Sequence, residues 1–169
     1  MRLSYRTPIE KETGDASLIW TKAQVTKENK AYLRSLPNHI LWERDGMRTL
    51  LVHGSPRRIN EYLYENRPEG SLVRMLEPIN VDVLIFGHTH LPYHRHVSVV
   101  HMVNDGSTGR PKDGDTRACY AMIETGVDFQ VVFKRVPYDV EEVAETLIQK
   151  DLPEWLAEYL RVGGKISTS

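Results

Sequence analysis

Three short segments set ligand-capable side chains beside glycine at the end of an apolar run. They are Leu50-Leu51-Val52-His53-Gly54-Ser55-Pro56, Ile85-Phe86-Gly87-His88-Thr89-His90 and the glycine-rich stretch that starts Asn104-Asp105-Gly106-Ser107. Loops leaving buried strands are where a rigid scaffold presents functional groups. His88 and His90 stand one residue apart on a loop that Gly87 lets bend, so both rings can face one cavity. Imidazole nitrogen binds Zn, Mn, Fe, Ni and Co at roughly 2.0–2.2 Å. His53 ends another apolar run, and Gly54 gives its backbone the same room. Any one of these histidines alone reads as a polar loop residue. The three together, each after an apolar run and beside glycine, read as a metal site.

The remaining polar residues carry blander readings. Asn104, Ser107 and Arg110 are the candidates to stand near a phosphate. Asp105, Asp113 and Asp115 suit loop formation through side-chain turns. Ser55 has no Asp–His relay in recognisable order and is not expected to be a nucleophile. His94 and His96 alternate along a strand, which puts them on one solvated face. His39 begins a strand and His101 lies inside one. Cys119, between Ala118 and Tyr120, suits a small buried hydrophobe. The loop Gly106–Gly114 lacks the strand–loop–helix context and the Lys-Ser/Thr ending of a phosphate-cradling P-loop, so a pure phosphate-binding module ranks last.

The elements that must hold these residues follow from pattern. Thr26 caps a helix ending before Pro37, with Tyr32, Leu33 and Leu36 on one face. Ile40–Arg44 and Met47–Val52 form a hairpin about Asp45-Gly46, a dipeptide suited to a type I′ turn. A helix covers Ser71–Leu76. Val81–Phe86 is a short apolar run suited to a strand buried on both faces. Further strands are expected over Tyr93–Val97 and Val99–Val103. A second hairpin, Arg117–Glu124 with Val127–Val136, turns at Thr125-Gly126. Asp139 and Glu142 make a capping box for a helix, and an amphipathic turn or two follows over Pro153–Leu160. Residues 1–18 show no clear period and read as a loop or arm. Residues 19–162 form the domain, and 163–169 read as a flexible tail.

Composition bounds the partners. The chain has 169 residues, enough for one domain, and 40% of them are hydrophobic, enough for a sizeable core. A net charge of −1 leaves no electrostatic footprint for general nucleic-acid binding. No run approaches the roughly 18 apolar residues that a membrane span needs, and no signal-peptide pattern opens the chain. The single cysteine cannot form an intrachain disulfide, which fits a reducing, cytoplasmic setting.

Taken together, H-G-S-P at His53, G-H-T-H at Gly87–His90 and N-D-G-S-T-G-R-P-K-D-G-D from Asn104 resemble the calcineurin-like metallophosphoesterases, of the small bacterial and archaeal phosphodiesterase type. The family's loop commonly reads N-P-G-S-x-G-x-P-x-D-G-D, so Asp105 stands in place of its proline. The likeness runs from about Ile19 to the segment Arg135–Asp139. It implies an α/β fold, part of an αββα sandwich with mixed and antiparallel sheets and flanking helices. It implies a divalent metal centre (Mn, Ni, Zn or Fe; two ions in the family), a small phosphate-ester substrate and hydrolysis by a metal-activated hydroxide. Carried over by position, His53 and His88 would bind one metal and His90 the other, with Gly54 and Gly87 making backbone room.

The family's upstream D-x-H, G-D and G-N-H-D/E motifs are absent from this sequence. With them go the bridging carboxylate and the histidine that serves as general acid, so no catalytic acid is assigned. Three neutral imidazoles cannot hold two dications close together without an anionic bridge, so at most one metal is expected on this chain alone. The expectation is a metal-dependent phosphoesterase that covers the C-terminal two-thirds of its fold. It would be completed by homo-oligomerisation or by a companion N-terminal segment. The alternative is an inactive remnant with a structural or interaction role.

Overall fold

The computed structural model describes residues 7–125 and 128–166. Two helices open it, α1 (Pro8–Gln24) and α2 (Lys27–Ser35), and lead into the hairpin β1 (His39–Arg44) and β2 (Met47–Val52). Asp45 and Gly46 both have positive φ, 52° and 75°, which is the conformation a type I′ turn demands. Then come α3 (Glu69–Leu76), β3 (Val83–Phe86), β4 (Tyr93–Val97) and β5 (Val100–Asn104). The hairpin β6 (Ala118–Glu124) and β7 (Gln130–Val136) precedes α4 (Val140–Gln149) and α5 (Glu154–Arg161). The expected turn at Thr125-Gly126 falls partly outside the described residues.

Five strands form one sheet in the order β1-β2-β3-β5-β4, and β6 pairs with β7 in a second. β2, β3 and β5 run parallel, and each outer pair, β1–β2 and β4–β5, is antiparallel. Of the run 81–86, residues 83–86 become the central strand, with Val83, Leu84 and Phe86 buried, while Asp82 stands just before it. Leu72, Met75 and Leu76 on α3 close the main core with Leu50, Leu63, Phe86, Tyr93 and Met102. Tyr93 reaches across to donate its hydroxyl hydrogen bond to the Leu63 carbonyl at 2.9 Å. This is a mixed α/β architecture of sheets flanked by helices, as the sequence motifs imply.

Two segments depart from expectation. Residues 8–18 belong to α1 and are not a loop. Thr7 Oγ1 accepts from the Glu10 backbone N–H, Pro8 sits in the first turn, and Lys11 pairs with Asp15 one turn on. These local terms build a helix with only Thr13 buried, so no apolar stripe announced it. Residues 163–166 are not a free tail. Gly163 accepts from the Gly114 backbone N–H at 3.0 Å, and a Cβ at Gly164 would lie 2.4 Å from the Pro111 carbonyl oxygen. Residues 167–169 of that segment lie outside the described residues.

Candidate metal centre

The parallel strands β2, β3 and β5 end on the same edge of the sheet, since Leu51 registers with Ile85 and Phe86 with Asn104. Their C-terminal loops therefore rise side by side. This edge is where open α/β sheets bind ligands. The loops are laced together: Gly87 donates its backbone N–H to His53 O at 2.9 Å, and Asp105 donates to Phe86 O at 3.1 Å. A Cβ on Gly87 would stand 3.2 Å from Asp105 Oδ1 and 3.9 Å from His53 O. Glycine thus keeps open the space between these two residues. Gly54 serves a different contact, because a Cβ there would meet Ile59 O at 2.6 Å.

His53 Nε2 and His88 Nδ1 face each other at 3.0 Å, with a single proton between the two rings. His88 and His90 both adopt positive φ, 66° and 61°. Left-handed backbone at two non-glycine residues costs free energy, and such strain concentrates at functional sites. His90 Nδ1 lies 2.6 Å from the Arg110 carbonyl. A carbonyl only accepts, so Nδ1 carries the proton and Nε2 keeps its lone pair, the arrangement that orients metal-ligating imidazoles. Burial first, then the charges of His53 and Lys112, hold His88 below the ordinary imidazole value against the opposing pull of the Asn60 backbone. Burial likewise lowers His90, outweighing the Arg110 carbonyl. Both rings are therefore neutral donors at pH 7.

Tests of fit come from the donor atoms. His88 Nε2 is closed off from solvent and makes no hydrogen bond of sound geometry, although the Asn60 backbone lies near enough to pull on the ring's proton. A buried orphan nitrogen in a loop of this kind points to an ion or ligand beside it. The donor type suits divalent first-row metals, and His53, His88 and His90 all line one cavity of about 270 Å³ with Asp105, Ser107 and Thr108. Among the described residues, however, no three His, Cys, Asp or Glu side chains converge closely enough to hold an ion. The site holds one imidazole pair and a third ring on the same cavity wall, which is less than a full ligand set.

The three weaker candidates separate. Asn104 is fully buried and its amide is spent on the scaffold. Its Nδ2 donates to Gly87 O at 3.0 Å and Thr89 Oγ1 at 2.9 Å, while Oδ1 accepts from Gly106 N. These bonds brace the loop that carries His88 and occupy both ends of the Asn104 amide. Arg110 lays its guanidinium 4.8 Å above the Tyr159 ring, so its side chain is directed to α5 while its carbonyl holds His90. Ser107 lines the cavity, with its Oγ accepting from Arg110 N at 2.9 Å. Ser55 is structural: it donates to Glu61 Oε2 at 2.5 Å and accepts from the N–H groups of Arg57 and Arg58.

Sequence pattern missed two neighbours. Asp105 read as a turn former, yet it borders the cavity, and burial raises its carboxyl against the lowering effect of a backbone hydrogen bond and His53. Tyr62, in an irregular segment with no period, places its ring 4.2 Å from that of His88. Only the three-dimensional approach of residues 62 and 88 reveals that contact.

Residues 11–128 match the calcineurin-like phosphoesterase superfamily domain. An uncharacterised protein of Methanocaldococcus jannaschii is 30% identical over 168 residues, covering 89% of this chain and 66% of that protein. The crystal structure of a metallophosphoesterase from Sphaerobacter thermophilus superposes with TM-score 0.73 at 30% identity, over 86% of this chain and 66% of that one. A hypothetical protein of Pyrococcus horikoshii superposes with TM-score 0.75 at 22% identity, over 88% and 58%, and shares the fold. This chain spans just under two thirds of the length of the first two.

Proposed function

The chain belongs to the calcineurin-like phosphoesterase superfamily, and from that membership we propose that it hydrolyses small phosphate esters, phosphodiesters foremost, at the edge where β2, β3 and β5 end. The observation that carries this reading is the His53–His88 pair, nitrogen to nitrogen at 3.0 Å, beside the orphan Nε2 of His88. His53, His88 and His90 are the residues that would hold divalent ions such as Mn, Ni, Zn or Fe. What such ions supply is a water acidified towards neutral pH and compensation of charge on phosphoryl oxygens.

The chain's own residues do the positioning. The Arg110 carbonyl fixes the tautomer of His90, Asn104 braces the loop that carries His88, and Gly87 keeps the cavity clear of a Cβ. Ser107 and Thr108 line the cavity wall and would meet a phosphate bound there. Because the candidate ligands are all imidazoles, none bringing a negative charge, and fall short of a full set, the reading includes a further contribution of carboxylate ligands, from a companion N-terminal segment or a second copy.

The test is hydrolysis of a chromogenic phosphodiester with Mn(II), Ni(II) or Zn(II) added in turn. Metal-dependent turnover that falls at least 100-fold in His88→Ala is expected. Turnover untouched by that substitution, or none with any ion, would overturn the proposal.

A further inference from the structure

Strand β1 is one edge of the main sheet, and all six of its residues are exposed, which holds for no other described strand. Its sequence, His39-Ile40-Leu41-Trp42-Glu43-Arg44, contains no proline or lysine, and its register with β2 runs without a bulge. Those are devices that keep an edge from pairing with another chain. The other edge of the sheet is protected. In β4, Tyr93 and Val97 are buried, and Arg95 donates to the carbonyls of Glu65 and Arg67.

The hairpin turn decides which backbone groups face outward. With two residues in the turn, Arg44 and Met47 close it as a hydrogen-bonded pair, and Trp42 and Ile40 direct their N–H and C=O groups to β2 in the same way. His39, Leu41 and Glu43 therefore direct theirs away from β2, and no described strand takes them. We propose that a second copy of this chain does. Two β1 strands pair antiparallel about a two-fold axis at Leu41 and join two main sheets into one.

The side chains select this register. Directly opposed residues of an antiparallel pair place their side chains on one face. With Leu41 opposite the partner's Leu41, Ile40 meets the partner's Trp42, and His39 meets the partner's Glu43. Apolar side chains thus oppose one another at the centre, and an imidazole meets a carboxylate at either end. The outward-facing residues are then opposed to one another, so each such pair exchanges both of its backbone hydrogen bonds. Sliding to the next register of the same parity sets Leu41 against Glu43 and Ile40 against Arg44. Sliding the other way sets Leu41 against His39 and Trp42 against Asn38. Both put apolar side chains opposite polar ones. Ile40, Leu41 and Trp42, now 47%, 49% and 38% exposed, are the apolar groups the contact gathers. A contact of this kind uses the same patch on both copies and closes as a dimer. It involves none of His53, His88 and His90.

The experiment is light scattering on the full chain beside Leu41→Lys, with Leu41→Cys oxidised and run on a non-reducing denaturing gel. The wild-type chain is expected at twice the mass of one chain. Leu41→Lys, which sets two ammonium groups against each other at the axis, is expected at the mass of one. Leu41→Cys should form a disulfide-linked dimer, because opposed Cα atoms in a hydrogen-bonded pair stand about 5.5 Å apart, within disulfide reach. Val99→Cys, in the turn between β4 and β5, should not. If circular dichroism shows Leu41→Lys to be misfolded, the two cysteine variants decide. A monomeric wild-type chain, a dimer that persists in folded Leu41→Lys, or a Leu41→Cys chain that cross-links no better than Val99→Cys would overturn the proposal.

Discussion

His88 shows how much of the site is decided one side chain at a time. Its ring meets His53 on one nitrogen, makes no hydrogen bond of sound geometry on the other, and lies 4.2 Å from Tyr62. The spacing G-H-T-H marked the ring as a candidate ligand, but not its partner, because His53 and His88 stand 35 positions apart and close up only in the fold. Glu61 was silent in the sequence for the same reason. Burial works to raise its carboxyl, yet hydrogen bonds from Arg57, Ser55 and Arg67 overrule it and hold it at about 2. A carboxylate depressed in this way contributes stability that is complete above its unfolded value, near 4.5, and is lost as pH falls towards 2. Glu61→Gln is expected to destabilise the fold by about 1–2 kcal/mol at pH 7, the worth of hydrogen bonds to a charged group. Urea denaturation at pH 7 and pH 3 checks this: the gap between wild type and variant should narrow at the lower pH. An unchanged gap would remove Glu61 from the account.

Elements with a local signature were legible in sequence, and those held by tertiary contact were not. Asp45-Gly46 fixed the β1–β2 hairpin, and Asp139 caps α4 by accepting from Glu142 N at 2.9 Å, as its capping box requires. α1 was missed because it buries a single residue, Thr13, and its helical content rests on Thr7, Pro8 and the Lys11–Asp15 pair. The ordering of residues 163–166 was missed because its cause lies some fifty positions earlier, in the Pro111–Asp115 loop. Two glycines separate these kinds of cause. Gly46 has positive φ and open space around it, so Gly46→Ala should cost about 1 kcal/mol from backbone conformation alone. Gly164 has positive φ and would drive a Cβ to 2.4 Å from Pro111 O, so Gly164→Ala should cost clearly more. Thermal unfolding of the two variants orders them, and equal shifts would deny that the C-terminal segment clamps the loop that carries Arg110.

At the scale of the whole molecule, the fold was readable as the family's, because three motifs in order must sit at the ends of neighbouring parallel strands. The surface was not readable. Strand β1 is exposed along its length, with Ile40, Leu41 and Trp42 all reaching solvent, and Leu18, Ile19, Tyr32 and Leu33 on the two opening helices are exposed as well. Apolar surface on that scale marks an interaction face. Light scattering is expected to give a mass above that of a single chain, and a monodisperse monomer would contradict it. No helix among the described residues is long and apolar enough to cross a membrane. The claim on which the functional reading stands is that His53, His88 and His90 hold a catalytic ion. It is tested most directly by Mn(II) binding to the full chain, measured by elemental analysis after equilibrium dialysis, beside His53→Ala and His88→Ala. The reading predicts bound Mn(II) in the wild-type chain that is lost in both variants, while equal Mn(II) in all three, or none in the wild-type chain, would contradict it.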